Sequence, residues 1–371
     1  MRGPERPRKP TLADVAARAS VDRSVVSRVL TGDSRLNIRD STRARVLQAV
    51  ADLKYRPNAI ARSLRQGRTG ILGMLIPDFG NPVYPAIIKG AESAAGELGV
   101  ALLTASGCDE GFGARRYAEI ITQGRVDGLV LAGMSETDEI ASSLTRAGVP
   151  WLMMNRRPKT TRRCVLFDDV GAALLAVHHL LAQGHSRIAH LAGPSWGSCA
   201  AQRRAGYEQA LLAAGVDVSE DLIISADHTE EAGAVAMDRL LAADKPPTAV
   251  FAANVMQAIG ALHSARRTDV RVPHELSIVA IHDLRPAAFV DPPLTTVRMP
   301  LGQLGRRAVQ LLEQSTPDED IEEVVTGPME LVMRSSTAPP SWCDLLTEDA
   351  RRASPFRRSP PFGPAPGGTL P

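Results

Sequence analysis

The sequence predicts a small all-α helix-turn-helix head joined to an α/β core of two parallel-sheet subdomains. Three observations carry that expectation: basic charge concentrated at one end, a helical apolar period over residues 11–55, and alternating strand-like and helix-like segments from Thr69 onward. Residues 1–68 hold 16 Lys or Arg against 6 Asp or Glu, and the remaining 303 hold 27 against 35. The formal charge of +2 therefore divides into +10 and −8, a local footprint for a polyanion on an otherwise acidic chain.

Residues 1–10 read as a disordered basic arm. The head, 11–57, opens with Thr11, whose hydroxyl suits a helix N-cap, and Asp14, which suits the positive end of the dipole. Leu12, Val15, Ala16 and Ala19 then share one face. After a three-residue turn Asp22 can cap a second helix, with Val26, Val29 and Leu30 inward and Arg23, Ser24, Ser27, Arg28 and Thr31 outward. A third helix follows, with Val46, Ala49, Val50 and Leu53 inward, ending near Tyr55. Short polar groups and arginines on the outer face of the second helix are what reading a major groove requires. A disordered basic arm would lack the apolar pattern, and a generic three-helix bundle would not need the charge.

Residues 58–68 read as a hinge helix and linker. Asn58–Leu64 is too short for a stable isolated helix and suits a segment that folds when held against DNA and a partner copy. From 69 to 337 the chain carries ILGMLIP, VALLTA, VDGLVLAG, PWLMMN, RIAHLAG, TAVFAA and SIVAI, with amphipathic stretches between most of them. These are too many units for one ordinary sheet, so two α/β halves around a cleft fit better. Residues 338–371, rich in proline and arginine, read as a disordered tail.

The segments TLADVAARASVDRSVVSRVLTGD and TRARVLQAVADLKYRPNAIARSLR closely resemble the DNA-binding head and hinge of the lac repressor (LacI/GalR) family of transcriptional regulators. The resemblance extends through IPDFGNPVYPAIIKGAE, LLAQGHSRIAHLAGP, FAANVMQAIGAL and VDPPLTTVRMP, and covers about residues 11–337. It implies a periplasmic-binding-protein-like core that binds an effector and dimerises, crossing between halves near 166–169, 291–298 and 323–328. Carried over by position, Arg23, Ser24 and Arg28 would touch base edges. Thr11, Ser27, Thr42 and Tyr55 would hold the DNA backbone. Asn58, Ala61 and Leu64 would lie in the minor groove, with Leu64 wedged between base steps. The loop GDSRLNIRDSTR is two residues longer than the family's common form.

Ligands of open parallel sheets sit beyond the carboxyl ends of the strands. By position those loops offer Asp78, Asn81, Tyr84, Asp168, Asp169, Trp196, His228, Asn254, His282 and Asp283. Ala201 stands where the family has an arginine, His228 where it has an aromatic, and His282 where it has an aspartate. Val255 likewise replaces an aspartate. Losing such partners argues against a common sugar or purine effector, and two histidines suit an acidic or aromatic one. The opposing reading is a degenerate pocket in a constitutive or partner-controlled regulator.

Other motifs weigh less. Gly193-Pro-Ser195-Trp-Gly197 matches a nucleophile-elbow pattern, but Pro194 disfavours the strained turn and no oxyanion loop is evident, so an enzyme is not expected. His178, His179 and His185 suit structural roles better than a shared metal. Cys108, Cys164, Cys199 and Cys343 are scattered and read as reduced thiols. Neither a Walker loop nor a dinucleotide fingerprint occurs, so no cofactor and no metal are expected. A solute-binding protein would need an export signal, and MRGPERPRKP does not resemble one. The expected partners are double-stranded operator DNA, a small-molecule effector and a second copy in a homodimer, with no membrane span. The expected location is cytoplasmic, at the nucleoid.

Overall fold

The computed structural model describes residues 10–56, 67–107, 125–133, 137–159, 161–316 and 319–340. The hinge residues Asn58, Ala61 and Leu64, the arm to residue 9, the tail from 341, Cys108 and Cys343 lie outside the described residues. The chain divides into two compact units, 1–70 with 124–127, and 71–123 with 128–371.

In the first unit, Thr11 starts α1 (Leu12–Ala19) with a reciprocal cap. Its hydroxyl accepts from the Asp14 amide, and the Asp14 carboxylate accepts from the Thr11 amide at 2.7 Å. Ser20 turns left-handed at φ 55°, and Asp22 caps α2 (Arg23–Leu30) by accepting from the Ser24 amide at 2.7 Å. The expected three-residue turn is present. Helix α3 (Asp40–Asp52) crosses both, and Val15, Val26 and Val46 are fully buried where the three meet.

The third helix ends at Asp52, short of the expected Tyr55. Lys54 takes a left-handed φ of 47° and the Tyr55 amide reaches back to the Val50 carbonyl at 2.9 Å, a C-terminal motif that stops the ladder. The long loop before α3 is not a loose insertion. Leu36 is buried in the head's core and Ile38 packs partly against it, so added apolar contact offsets the cost of ordering the extra residues.

The second unit begins with β1 (Ile71–Ile76), α4 (Val83–Glu97), β2 (Ala101–Ser106), β3 (Gly128–Ala132), α5 (Thr137–Arg146), β4 (Trp151–Met154) and β5 (Arg163–Phe167). It continues with α6 (Asp169–Ala182), β6 (Ile188–Ala192), α7 (Ser198–Ala213), β7 (Ile223–Ser225), α8 (Glu230–Leu241), β8 (Ala249–Ala252) and α9 (Val255–Arg267). The last elements are β9 (Ser277–Ile281), β10 (Thr295–Arg298), α10 (Leu301–Gln314), β11 (Ile321–Val325) and β12 (Glu330–Val332).

The strands form two six-stranded sheets, ordered β11-β5-β4-β3-β1-β2 and β12-β10-β9-β8-β6-β7. Every pairing is parallel except β10 with β12. Strands β1, β3, β4, β6, β8 and β9 read as near-continuous apolar runs because helices cover both faces. The strands absent from the sequence reading are β5, β7, β10, β11 and β12. They are short or carry Arg, Glu or Thr, so their apolar signal is weak.

The chain crosses between halves after β5, as expected from 166–169, and after β11, close to the expected 323–328. The middle crossing differs. Residues 295–298 are still a strand of the second sheet, and the passage comes at Met299-Pro300, before α10 packs on the first sheet. One apolar core runs through both halves, and a second fills the outer side of the second sheet. Among the described residues no helix is long and apolar enough to cross a membrane.

Candidate functional site

Two groups of side chains stand out, one in each unit. In the head, Arg23, Ser24 and Arg28 are exposed on α2 while Val26 and Val29 are buried beneath them. Ser24 and Arg28 are four apart and therefore neighbours on the helix surface. The Arg28 guanidinium is tied through Nε to Asp33 at 2.8 Å, a partner supplied by the long loop that the sequence reading did not connect to it. That ion pair holds Asp33 below the usual carboxylate range, first through the side-chain hydrogen bond from Arg28.

Of the backbone-contact candidates, Ser27 and Thr42 are partly buried, and Thr42 sits in the first turn of α3, where free amides suit a phosphate. Tyr55 packs against the head's core. The Thr11 hydroxyl is already engaged, donating to Asp14 at 2.7 Å, so its structural duty is the cap.

In the second unit, the carboxyl ends of the parallel strands open on a cleft of about 540 Å³, its mouth included. Asn81, Val83, Tyr84, Gly133, Asn155 and Arg156 line it from the first half; Pro194, Trp196, Gly197, Cys199, Arg203, His228, Asn254 and His282 line it from the second. Six of the ten cleft candidates, Asn81, Tyr84, Trp196, His228, Asn254 and His282, are thus brought together.

The four acids are not. Asp78 is exposed and turns back on its own loop, accepting from the Gly80 amide at 2.8 Å. Asp169 lies behind the cleft wall, 2% exposed, and receives the Arg203 Nε at 2.7 Å. Asp168 caps α6, and Asp283 is taken up by Arg298, Arg334 and Thr296. A position at a strand's carboxyl end was enough to nominate these acids; only the folded loop decides which way each points.

Arg203 is the main residue the sequence reading missed. It lies on the buried stripe of α7 with Ala200, Gly206, Tyr207 and Ala210, and a cation on an apolar stripe was its signal in the sequence. A Cβ at Gly206 would meet the Val170 carbonyl at 2.5 Å, so glycine there lets α7 press on α6 and sets Arg203 against Asp169. Its Nη1 donates to the Ala253 carbonyl at 2.6 Å, and its buried Nη2 has no hydrogen-bond partner. Burial favours the neutral guanidine, but the Asp169 carboxylate outweighs it and holds the Arg203 pKa up. Arg156, also missed, pairs with Asp138 at 2.8 Å and lies 5.5 Å from the centre of the Trp196 ring.

His282 is 3% exposed, takes a positive φ of 78°, and has no partner for either ring nitrogen. His228 is partly buried, packed where a Cβ on Gly193 would stand 2.5 Å from its ring, and its Nδ1 is unpartnered. Burial, reinforced by Arg203, keeps both rings neutral, His228 at about 3 and His282 well below its ordinary value. Asn254 is occupied as a scaffold: Oδ1 caps α9 and Nδ2 donates to the His228 carbonyl at 3.3 Å. Burial raises the Cys199 thiol, and raises Cys164 to about 11, so neither is a ready thiolate.

The discounted motifs fall where their residues are used structurally. Ser195 is exposed in a turn, and the following helix starts only at Ser198. His179 meets Thr337 and His185 meets Thr248 and the Ala338 carbonyl, each at 2.9 Å, while His178 is exposed.

Comparison with known proteins places this architecture. Residues 11–58 match the family model described as bacterial regulatory proteins, lacI family, and 177–337 match the periplasmic binding protein-like domain. The HTH-type transcriptional repressor CytR of Escherichia coli K12 is 33% identical over 303 residues, spanning 81% of this chain and 88% of the relative. The HTH-type transcriptional regulator CelR of Thermobifida fusca is 34% identical over 328 residues, 86% of this chain and 96% of the relative. Among solved structures, a lac repressor dimer bound to operator and the anti-inducer ONPF superposes with a TM-score of 0.77 at 26% identity, covering 89% of this chain and all of that one.

Proposed function

This chain belongs to the LacI family of bacterial regulatory proteins, and from that premise we propose that it is an operator-binding homodimer controlled by a small molecule in its cleft. The observation that carries the reading is the pairing of an arginine-bearing α2 in a basic head with a two-sheet cleft that keeps unpartnered buried donors. The related lac repressor was solved as a dimer on operator with a small molecule, and the same arrangement suits a head this small. One copy offers about three base-reading side chains, and two copies on an inverted repeat double the contact and set the half-site spacing.

In this reading Arg23, Ser24 and Arg28 read bases, while Ser27, Thr42 and Tyr55 fix the register on phosphates. Asn58, Ala61 and Leu64, outside the described residues, act in the minor groove. The two halves of the cleft open or close around an effector, which changes operator affinity only through its unequal affinity for the two states. The protein works in the cytoplasm and is not an enzyme; the early helix start that an elbow at Ser195 would need is missing.

The test is selection of bound duplexes from genomic DNA by the full-length protein across a salt series. The expected result is a two-fold symmetric site with a flexible pyrimidine–purine step at its centre, and a steep loss of affinity with salt. Equal binding to inverted-repeat and random duplexes at moderate salt would remove the regulator reading.

A further inference from the structure

Helix α2 ends in a turn that carries an acid back to the helix's own arginine. Thr31 closes the helix, and Gly32 takes a left-handed φ of 68°, a conformation that a side chain would disfavour. The Gly32 amide reaches the Val29 carbonyl at 3.2 Å, and the Asp33 amide reaches the Arg28 carbonyl at 3.1 Å, the paired bonds of a Schellman motif. Asp33 is thereby fixed beside the residue that its side chain holds, Oδ2 accepting from Arg28 Nε at 2.8 Å. Its other oxygen, Oδ1, accepts from the Arg35 amide at 2.9 Å, and its carbonyl accepts from the Leu36 amide at 3.1 Å. Leu36 is buried in the head's core, so the carboxylate stands on an anchored turn.

The contact leaves Arg28 with one fork of donors for an outside partner. A guanidinium can pair an acceptor edge through Nε and one Nη, or through Nη1 and Nη2. With Nε committed to Asp33, the second fork remains, on a side chain that is 46% exposed. Two parallel donors of that kind match O6 and N7 of guanine. An arginine loses rotamer freedom when it binds, and one that is already held loses less. Charge points the same way. Residues 1–68 carry a formal +10, and a carboxylate beside Arg28 weakens the attraction to every phosphate. It would be a poor partner for an arginine that only gripped the DNA backbone, and is a suitable one where the direction of the guanidinium matters.

We propose that Asp33 is a positioning residue for base readout, touching no base itself and aiming the Nη1–Nη2 end of Arg28 at a guanine in each half-site. The proposal rests on the operator-binding reading above and gives the lengthened loop after α2 a part in recognition.

The experiment uses the full-length protein and the inverted-repeat duplex returned by genomic selection, titrated by fluorescence anisotropy at fixed salt. The base pair read by Arg28 is the one whose preference Arg28→Ala abolishes. Replacing its guanine with 7-deazaguanine, which lacks N7, should weaken wild-type binding about fivefold or more and leave Arg28→Ala unaffected. Asp33→Asn separates the two duties of the carboxylate. The asparagine Oδ1 still accepts from the Arg35 amide and keeps the turn, but its amide group presents donors where Arg28 Nε needs an acceptor. Discrimination between guanine and adenine at that base pair should fall about three- to fivefold in both Asp33→Asn and Asp33→Ala, without a uniform loss of affinity for all duplexes. In the Arg28→Ala background neither change should alter discrimination further. Circular dichroism melting checks that the variants fold, and the 7-deazaguanine comparison on the wild type needs no variant. Full discrimination in Asp33→Asn, with a loss only in Asp33→Ala, would make Asp33 a loop-closing residue and overturn the proposal. So would wild-type binding that is indifferent to 7-deazaguanine. A wild type that prefers no inverted-repeat duplex would be a different failure, removing the operator-binding reading and the proposal with it.

Discussion

Arg23, Ser24 and Arg28 of the head stand in solvent on one short helix, whereas Arg203 and His282 of the core are 2% and 3% exposed and come from separate elements. Both sets carry hydrogen-bond donors, but those of the head stand on an open surface and those of the core in an enclosed wall. Exposed charges are cheap to carry and contribute little to stability. Buried ones must be paired or left neutral, so in the core the groups that line the cleft are also groups on which folding depends. Function and stability should therefore separate in the head and be entangled in the core.

The strongest way to break that contrast is Asp169→Ala. It leaves the Arg203 guanidinium buried without its counter-charge, and the core should lose about 3–5 kcal/mol. Urea unfolding followed by amide exchange should show the loss in the second unit while amides of α1 to α3 keep their protection. Equal loss in both would mean that the head depends on the core for its stability.

Acidification comes next. The head has no histidine, and all eight lie beyond residue 68. His190 is fully buried, its Nδ1 tied to the Phe251 carbonyl at 3.0 Å and its ring stacked between Tyr207 and Phe251. Burial lowers it from 6.5 to about 4. Below pH 6.5 the unfolded chain binds this proton better than the folded one, so the stability present above that value is lost as pH falls toward 4. At pH 5 His190 alone should remove on the order of 2 kcal/mol from the core. The head's shifted carboxylates, Asp22, Asp33 and Asp52, are lowered, so their stability is lost only below the ordinary carboxylate range. Thermal melts between pH 7 and 5 should move the core alone, and His190→Phe should blunt the shift.

Arg28→Ala sharpens the head's side of the comparison. Discrimination at one base pair per half-site should fall roughly tenfold, with the head's melting temperature unchanged. Uniform weakening on every duplex would assign Arg28 to phosphate contact. The smallest effect is expected for Asp33→Ala, which frees Arg28 from its intramolecular partner and removes a negative charge. Affinity for random duplex DNA should rise about two- to fivefold, measured by fluorescence anisotropy at low salt. No change would mean that Asp33 only closes its own loop.

The caps at Thr11 and Asp22, the turn between them and the buried stripe of α1 and α2 were legible because each is set by residues within a few positions of one another. So were the apolar strands β1, β3, β4, β6, β8 and β9. The charge on β5 and the acids of β11 concealed strands whose place is fixed by partners far away in the chain. In the cleft, strand ends nominated Asn81, Tyr84, Trp196, His228, Asn254 and His282, while Asp78 and Asp169 shared that signature and were turned elsewhere. Arg203 carried a signal, a cation on an apolar stripe, that had no meaning until Asp169 was known to face it.

By itself the sequence determined the two-part plan, the helical head with its outward arginines and the strand–helix alternation, since periodicity and capping are local properties of the chain. Only the tertiary structure decided which polar groups of the core are satisfied and which are left facing the cleft. Hydrogen bonding and burial are settled by neighbours brought together from remote segments, and no local pattern encodes which of two adjacent acids finds its cation first.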